Sequence, residues 1–479
     1  MRLRVLGLLL GLLGFVSALS AQGKELLVVV DDESDVSKYS QFWADLADRG
    51  FHITHLTPKS TGLSLFQHGE PSYSHLLLLP TKSKGYGPNL TPNLIVDFVN
   101  AGSNVLLALS ASNGIPSAVS SMLLELDISL PPDRNSLVVD HFNYDTASAS
   151  EAHDVLLLPS QAPKKGTKNF FSVDGLVAFP HAVGQVLGNA SPLLASVIKA
   201  PKTAYTYNPK EDASEGLEDV FATGSQLTLV SAFQARNSAR FTVLGSASAL
   251  EDTWFDASVA LPTTKSTPAS QEKTANKLFA QKLTSWTFKE SGVLRVNSIT
   301  HYLSSPTKAG ISNSTAITAT PEDTNPEIYR IKNRVHYAAS LSEWSGTHWI
   351  PFLPPSNDEL QLEFSMLSPF HRLNLSPTTD EKNNATIFET EFVLPDQHGI
   401  FNFFLEYRRP FYTSVEEKRT VTVRHFAHDE WPRSFVITGA WPWIGGIWVT
   451  VLGWVGFVGV WLFSKPGKPV RELRSGGKR

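Results

Sequence analysis

The chain has 479 residues, of which 42% are hydrophobic and 18% are charged. This composition is typical of folded protein, and the length allows roughly three domains of about 150 residues each. Removing the +2 of the first residues and the +5 of the carboxyl-terminal tail from the net charge of −4 leaves about −11 for the rest. An acidic body argues against nucleic-acid binding, which needs a basic surface. The chain has no cysteine, which excludes thiol nucleophiles and cysteine metal sites.

The amino terminus has the layout of a secretory signal peptide. Two arginines precede an apolar run over residues 5–16, and small residues follow it. We predict a signal peptide over residues 1–21, with cleavage after Ser20 or Ala21. A retained anchor is the alternative, but the apolar run is shorter than the roughly 20 residues that span a bilayer.

Residues 22–160 alternate strand-like and helix-like runs. The run Leu26–Val30 is wholly apolar and ends in two carboxylates, as the first strand of a parallel sheet often does. The next stretch spaces Tyr39, Phe42 and Leu46 on one helical face. We therefore predict a doubly wound α/β domain over residues 22–160.

Residues 161–291 continue this pattern less clearly. We predict a second α/β segment here, whose strands can continue the first sheet. Its clearest element is a helix-like run within 271–290. Four of its residues are predicted on one face: Leu278, Phe279, Leu283 and Trp286.

From residue 292 to residue 425 the hydrophobic period changes to two, which predicts a β-sandwich. Four strand-like runs are separated by Pro, Gly, Asn and Asp residues: LQLEF, TIFETEFVL, IFNFFLEY and KRTVTVRH. The Ser- and Thr-rich stretch 304–327 is predicted to be a linker or a long loop before them.

The region 435–463 carries no charge and contains the second membrane signal. Its segment Ile444–Phe463 alone can cross a bilayer core of about 30 Å. The tail 464–479 is basic, and the positive-inside rule assigns it to the cytosol. The predicted fold class is an α/β doubly wound amino-terminal domain with a second α/β segment, a β-sandwich domain and one carboxyl-terminal transmembrane helix. The chain is then a single-pass type I membrane protein whose bulk is lumenal.

A search for catalytic chemistry centres on Asp31 and Asp32, which follow the first predicted strand. No glycine occurs between Leu26 and Arg49, so a dinucleotide-binding turn is not expected. The two carboxylates could ligate a metal, but a helix cap is the favoured interpretation. The nucleophile elbow, the phosphate-binding loop and the zinc-protease motif do not occur in the sequence. His425 and His428 have a metal-like spacing, although histidines beside a membrane more often lie at its interface.

The transmembrane segment has a row of small residues, which lets another helix approach closely in lipid. The packing face is predicted to contain Gly446, Thr450, Gly453 and Gly456.

Five sequons for N-glycosylation occur in the chain, and a following proline hinders three of them. The better candidates are Asn313 and Asn384; an unmodified asparagine is the alternative at each.

Five longer stretches together resemble one family across essentially the whole mature chain. They are LVVVDDESDVSKYSQFWADLADRGFHITHL, FQARNSARFTVLGSASALEDTWFD, LTSWTFKESGVLRVNSITHYL, DELQLEFSMLSPFHR and FVLPDQHGIFNFFLEYRRPFYT. In order and spacing, and with the terminal span, the chain resembles the 48-kilodalton subunit family of the oligosaccharyltransferase complex, including its fungal type. No single stretch is a catalytic signature.

The resemblance implies a non-catalytic accessory subunit in the endoplasmic reticulum membrane. The complex transfers a preassembled glycan from dolichyl diphosphate to asparagine of nascent proteins. In this family the chemistry and its metal belong to a separate multi-spanning catalytic subunit, and the 48-kilodalton subunit associates with ribophorin II-type and DAD-type subunits. This chain is expected to support assembly and substrate positioning, and to hold no catalytic, cofactor-binding or metal-binding residue.

The resemblance also bears on the first domain. In this family the domain is similar to one of intraflagellar transport proteins and distantly similar to class I glutamine amidotransferases, whose cysteine nucleophile this chain lacks. The alternative function is a self-contained lumenal glycan-binding or glycan-modifying membrane protein with its site at Asp31 and Asp32. Some relatives end in a dilysine retrieval signal, whereas this chain has Gly476 and Gly477 at those positions. Retention is therefore expected to depend on partners or on the basic tail.

Overall fold

The computed structural model describes residues 19–83, 85–149, 151–159, 168–188, 191–209, 220–262, 271–304, 324–356, 358–380, 384–428, 430, 440–465 and 467. Six α-helices occur in this part of the chain: α1 (Ser40–Asp48), α2 (Pro92–Asn100), α3 (Ser117–Glu125), α4 (Asp252–Phe255), α5 (Asn276–Thr287) and α6 (Trp441–Phe463). Three 3-10 segments accompany them: Glu33–Tyr39, Gly224–Gln226 and Ala247–Leu250.

A nine-stranded sheet forms the centre of the amino-terminal half. Its strands are β1 (Glu25–Val29), β2 (His52–Leu56), β5 (His75–Leu78), β6 (Asn104–Ala108), β7 (Ile128–Ser129), β11 (Gln185–Leu187), β12 (Leu194–Lys199), β14 (Leu227–Gln234) and β15 (Arg240–Leu244). Their order is β2-β1-β5-β6-β15-β14-β11-β7, with β12 also paired to β14. The first five are mutually parallel, and β14, β11 and β7 join antiparallel.

Strand β1 shows why helices cover both faces of this sheet. Leu26 and Val28 point to the side of α1 and α5, whereas Leu27 and Val29 point to the side of α2 and α3. A strand buried on both faces reads as a continuous apolar run, because alternate side chains enter two separate cores. The doubly wound α/β architecture is confirmed.

Strands from residues 161–291 extend the same sheet, since β11, β12, β14 and β15 all belong to it. Helix α5 packs Phe279, Leu283 and Trp286 into the core. Leu278 is half exposed, so the prediction that it shares this face is wrong. Phe279, Leu283 and Trp286 are spaced i, i+4 and i+7, and Leu278 is turned about 100° away from Phe279.

Four small two-stranded sheets surround the large sheet. They are β3 (Phe66–Gln67) with β4 (Glu70–Pro71), β8 (Leu137–Val139) with β13 (Tyr205–Tyr207), β9 (Val155–Pro159) with β10 (Leu176–Pro180), and β16 (Ser258–Val259) with β17 (Glu272–Lys273).

The carboxyl-terminal half contains two five-stranded sheets. The first comprises β18 (Val293–Leu303), β20 (Arg334–Trp344), β21 (Trp349–Pro351), β24 (Ser376–Asp380) and β25 (Ala385–Val393). The second comprises β19 (Ile328–Arg330), β22 (Gln361–Ser365), β23 (Pro369–Asn374), β26 (Gly399–Tyr407) and β27 (Val415–Arg424). Inward side chains of both sheets share one core with alternating burial along each strand, as expected for a sandwich. Most of the predicted loop 304–327 lies outside the described residues.

Helix α6 is 23 residues long, with a mean hydropathy of 1.9 and no buried side chain. Its length and composition are sufficient for one membrane crossing.

Candidate functional site

A crevice lies at the carboxyl ends of β1, β2 and β5. In the sheet, β2 lies next to β1 on one edge and β5 lies next to β1 on the other. The strand order therefore reverses at β1. Open α/β sheets bind ligands at such a reversal. The crevice has a volume of about 690 Å³. Its lining residues are Asp31, Pro58, Lys59, Lys82, Ser83, Gly85, Gly87 and Pro88.

Gly87 holds the crevice loops close together. Its φ is +86°, a left-handed conformation, and a Cβ added here would lie 2.7 Å from the carbonyl oxygen of Pro58. A side chain would therefore collide with backbone as well as strain the turn. The neighbouring carboxylate Oδ2 of Asp31 accepts a hydrogen bond from the backbone N–H of Lys82 at 3.2 Å, which joins the ends of β1 and β5.

Of the two carboxylates of the sequence hypothesis, Asp31 lines the crevice, whereas Asp32 is not among its lining residues. Asp32 is the residue before the 3-10 segment Glu33–Tyr39 and has extended backbone, but its side chain makes no capping hydrogen bond. The prediction that this acidic pair lies at a helix cap is thus correct for the position of Asp32. The capping hydrogen bond to its side chain does not form. In the part of the chain that is described, no three His, Asp or Glu side chains group to hold a metal ion. This includes His425, whose ring packs against His398 at 4.0 Å between centroids.

A fully buried arginine, missed by sequence reasoning, lies away from the crevice. Arg240 is completely buried at the start of β15 and donates hydrogen bonds to the carbonyl oxygens of Trp286, Ser291 and Gly292. Its guanidinium also lies over the Trp286 ring at 4.7 Å. Burial lowers the pKa of Arg240 to about 9. The RNSAR sequence gave no signal for this role, because an arginine in a hairpin is ordinarily a surface residue.

Two further residues at this place, Lys289 and Glu290, have shifted pKa values. Burial, and then the charge of Arg240, lower the pKa of Lys289 to about 7. Burial raises the pKa of Glu290, although Arg49 Nη1 lies 2.7 Å from its Oε2 atom. All of these groups lie where α5 passes into β18, the link between the large sheet and the sandwich.

The sandwich closes this link from the other side through residues 408–414, which we name the junction loop. Trp286 Nε1 donates to Phe411 O at 2.8 Å, and Gln234 Nε2 donates to Tyr412 O. Gly292 has a φ of +66°, and a Cβ there would lie 2.5 Å from Phe411 O. The junction is therefore a close backbone contact held by buried donors.

A second cavity of about 470 Å³ opens beside the junction loop. Its walls include Trp286, Phe411 and Tyr412, and the Oε1 atom of Gln234, another lining residue, is buried without a hydrogen-bond partner. The exposed Arg236 also lines this cavity.

On α6, the predicted packing residues form an open strip. Thr450 Oγ1 donates to Gly446 O at 2.9 Å, one turn earlier on the same face. A Cβ added at Gly446, Gly453 or Gly456 would meet nothing within 4 Å. The described structure thus leaves this face free of intramolecular contacts. Packing of this face against another helix stays a prediction.

Two of the sequons have an informative environment. The side-chain amide of Asn374 bonds to Glu359 and Gln361, whereas Asn384 lies exposed in a turn with a φ of +47°. The geometry therefore favours Asn384 over Asn374 as an acceptor. Asn313 and the end of the tail with Gly476 and Gly477 lie outside the described residues.

Two family models match the sequence over most of its length. "OST48, N-terminal domain" matches residues 17–290, and "OST48 middle domain" matches residues 317–465. The chain belongs to the OST48 family. The first matched region contains the crevice and Arg240, and the second contains most of the sandwich and α6.

Relatives of this OST48-family chain are similar over almost their full lengths. Subunit wbp1 of the dolichyl-diphosphooligosaccharide–protein glycosyltransferase of Schizosaccharomyces pombe is 31% identical over 459 residues, 95% of each chain. The 48 kDa subunit of the same enzyme of Danio rerio is 31% identical over 450 residues, 94% of each. That of Caenorhabditis elegans is 30% identical over 483 residues, 98% of each.

Proposed function

We propose that this chain is a non-catalytic accessory subunit of the oligosaccharyltransferase complex in the endoplasmic reticulum membrane. The observation that carries the proposal is its similarity, over about 95% of its length, to proteins named as subunits of that glycosyltransferase. Its role is to support assembly and to position substrate during N-linked glycosylation. Catalysis belongs to a separate multi-spanning subunit, and the other partners are ribophorin II-type and DAD-type subunits.

The distribution of charge supports a structural role. The crevice lysines, Lys59 and Lys82, are exposed, and the fully buried guanidinium of Arg240 bonds to backbone carbonyls at the junction. Active sites are places where burial and neighbouring charges shift pKa values for chemistry. Here burial lowers the pKa of Arg240 and of Lys289 at a domain link, while burial and then Asp31 raise the pKa of Tyr86, whose hydroxyl donates a hydrogen bond to the carbonyl oxygen of Leu79.

The test is a tagged purification from microsomes in digitonin, followed by subunit identification and a peptide glycosylation assay. We expect a multi-subunit assembly that transfers glycan, and no transfer by the chain alone. Transfer by the isolated chain would remove the accessory role.

The second part of the proposal is that α6 docks onto another helix through Gly446, Thr450, Gly453 and Gly456. Replacing the first three by Leu is expected to reduce co-purification of partner subunits several-fold, because the close approach is lost. Gly459→Leu is the matched control, since position 459 lies about 140° around the helix from Gly446. Unchanged subunit stoichiometry in the triple variant contradicts the docking face.

We also propose the topology from the charge pattern: lumenal bulk, cytosolic tail, and a leader removed during translocation. Leu19 O accepts a hydrogen bond from Trp344 Nε1 at 2.6 Å, and Leu19 N–H donates to Arg49 O at 3.2 Å. These contacts favour a cut that keeps Leu19, after Ala18, over a cut after Ser20 or Ala21. Mass spectrometry of the mature amino-terminal peptide distinguishes the sites.

The second candidate function is a self-contained lumenal glycan-binding or glycan-modifying protein. The crevice at the strand reversal, which Asp31 lines, favours it. It predicts that the full chain in detergent binds calcium, manganese or a lipid-linked sugar analogue. Calorimetry without heat for any of these ligands discards it.

A further inference from the structure

The exposed aliphatic side chains of the sandwich gather at one end. The relevant end is opposite the junction loop, and we name it the far end. Five large aliphatic residues there are 45% to 99% exposed: Leu303, Ile328, Leu367, Val393 and Ile400. A sixth exposed aliphatic residue, Leu353, follows β21 and lies away from the far end.

Strand register places these residues together. Leu303 pairs with Val335, and Val393 pairs with Arg334. Because Arg334 and Val335 are adjacent on β20, Leu303 and Val393 lie at the same end of the first sandwich sheet. In the second sheet Ile328 and Ile400 lie on either side of Thr422, so they form one cross-strand row. Side chains directly opposite one another lie on one face.

The β22–β23 hairpin extends this row. Ser365 pairs with Asn402, so the turn that follows Ser365 runs toward Ile400. Its tip residue, Leu367, is 99% exposed. A fully exposed leucine in a hairpin tip has no stabilising role in the fold itself, and clustered exposed apolar residues mark an interaction site.

Basic side chains near this end are neutralised by carboxylates. The pairs, within 4.0 Å, are Arg330–Glu430, Lys332–Asp396, Arg334–Glu391 and Arg424–Glu430. The far end therefore presents little unpaired charge beside its exposed aliphatic side chains, and the exposed ion pairs stay in water at its edge because their desolvation is costly.

The membrane helix is tethered to this same end. Strand β27 finishes at Arg424, whose guanidinium binds both oxygens of Glu430 at 2.8 and 2.9 Å. Helix α6 begins eleven residues after Glu430, at Trp441. Eleven residues reach at most about 40 Å even when fully extended. The far end is therefore held near the bilayer, while the junction loop faces the large sheet.

We propose that the far end of the sandwich docks on the lipid bilayer, with the hairpin tip at Leu367 inserted into the interfacial region. The occupant is lipid because the anchor leaves from this end on a short tether. The aliphatic tips would enter the boundary between headgroups and acyl chains, where interfacial elements insert their apolar face to a depth of about 5–10 Å. The sandwich then stands upright between the membrane and the large sheet, which fixes the height of the crevice and the junction cavity above the bilayer.

The absence of cysteine makes a direct test possible. Leu367→Cys and Ile400→Cys each place a single thiol at the far end of the full-length chain, and Leu353→Cys is a matched exposed aliphatic position away from it. Each variant is labelled with an environment-sensitive fluorophore and reconstituted into phosphatidylcholine nanodiscs. Quenching by nitroxide-labelled lipid and by aqueous iodide is then compared.

We expect lipid quenching at positions 367 and 400 to exceed that at 353 about threefold or more, with the reverse order for iodide. Iodide quenching at Leu367 equal to that at Leu353 would falsify lipid docking. Protection of Leu367 from both quenchers overturns it as well, because the far end is then covered by protein.

Discussion

The crevice at the carboxyl edge of the large sheet and the junction with the sandwich differ in how they treat charge. In the crevice, Lys59 and Lys82 are exposed, and the backbone N–H of Lys82 donates to the Asp31 carboxylate. At the junction, Arg240 is removed from water and donates hydrogen bonds to three backbone carbonyl oxygens. This chain thus leaves the lysines of its crevice in water and buries an arginine where the large sheet meets the sandwich.

The largest effect is expected from removing the charge at the junction. Arg240→Met leaves the carbonyl oxygens of Trp286, Ser291 and Gly292 without their donor, and we expect a loss of about 3 kcal/mol or more in the free energy of unfolding. Chemical denaturation of the full chain in detergent measures it. The control is Arg236→Met, at an exposed position four residues earlier, which is expected to cost within about 0.5 kcal/mol. Equal losses in the two variants would show that the buried bonds are not what holds the junction.

The crevice depends on backbone approach instead. Gly87→Ala is expected to cost about 2 kcal/mol or more, because its Cβ meets Pro58 O in addition to the left-handed strain. Gly69→Ala is the matched control: its φ is +88°, but a Cβ there meets nothing within 4 Å, so about 1 kcal/mol is expected. The same denaturation experiment gives both values, and indistinguishable costs contradict a close contact between the crevice loops.

The free energy of unfolding is expected to depend on pH through Lys289, which lies at the junction. The pKa of Lys289 is about 7 in the folded chain and close to its ordinary value of about 10.5 when unfolded. Between these values the unfolded state holds a proton that the folded state has lost, so stability rises with pH by at most about 1.4 kcal/mol per unit. Below pH 7 both states are protonated and this group contributes no slope. Thermal unfolding from pH 6 to pH 10 measures it.

The matched variants for this slope are Lys289→Met and Lys277→Met, the second at an exposed position on α5. We expect the rise above pH 7 to be reduced only in the first. A rise that persists unchanged in Lys289→Met assigns the slope to other groups.

The smallest effect is expected at the crevice carboxylate. In Asp31→Asn the amide oxygen still accepts from the backbone N–H of Lys82, so stability should change by less than about 1 kcal/mol. Glycan transfer by the purified complex should also be unchanged. Reduced glycan transfer with unchanged stability would indicate that the crevice contacts substrate. That result would favour the second candidate function.

Local sequence patterns determined the element types and the fold class. The apolar run of β1, the helical spacing of Phe42 and Leu46, the period of two in β25 and β26 and the charge-free length of α6 each have one physical cause, which is the direction in which side chains must point to leave water. The family was identified from five stretches that resemble it along the chain, because no single motif was specific enough.

Tertiary structure decided where Arg240 is buried and which exposed aliphatic residues meet at one end of the sandwich. Arg240 and Leu278 illustrate the reason: the sequence predicted the second in the core and gave no sign of the first. Burial depends on which strands and helices meet across tens or hundreds of residues, and those pairings are not written in local periodicity. The gathering of Leu303, Leu367 and Ile400 at one end likewise follows from strand register, because their positions along the chain are far apart and only pairing brings them together.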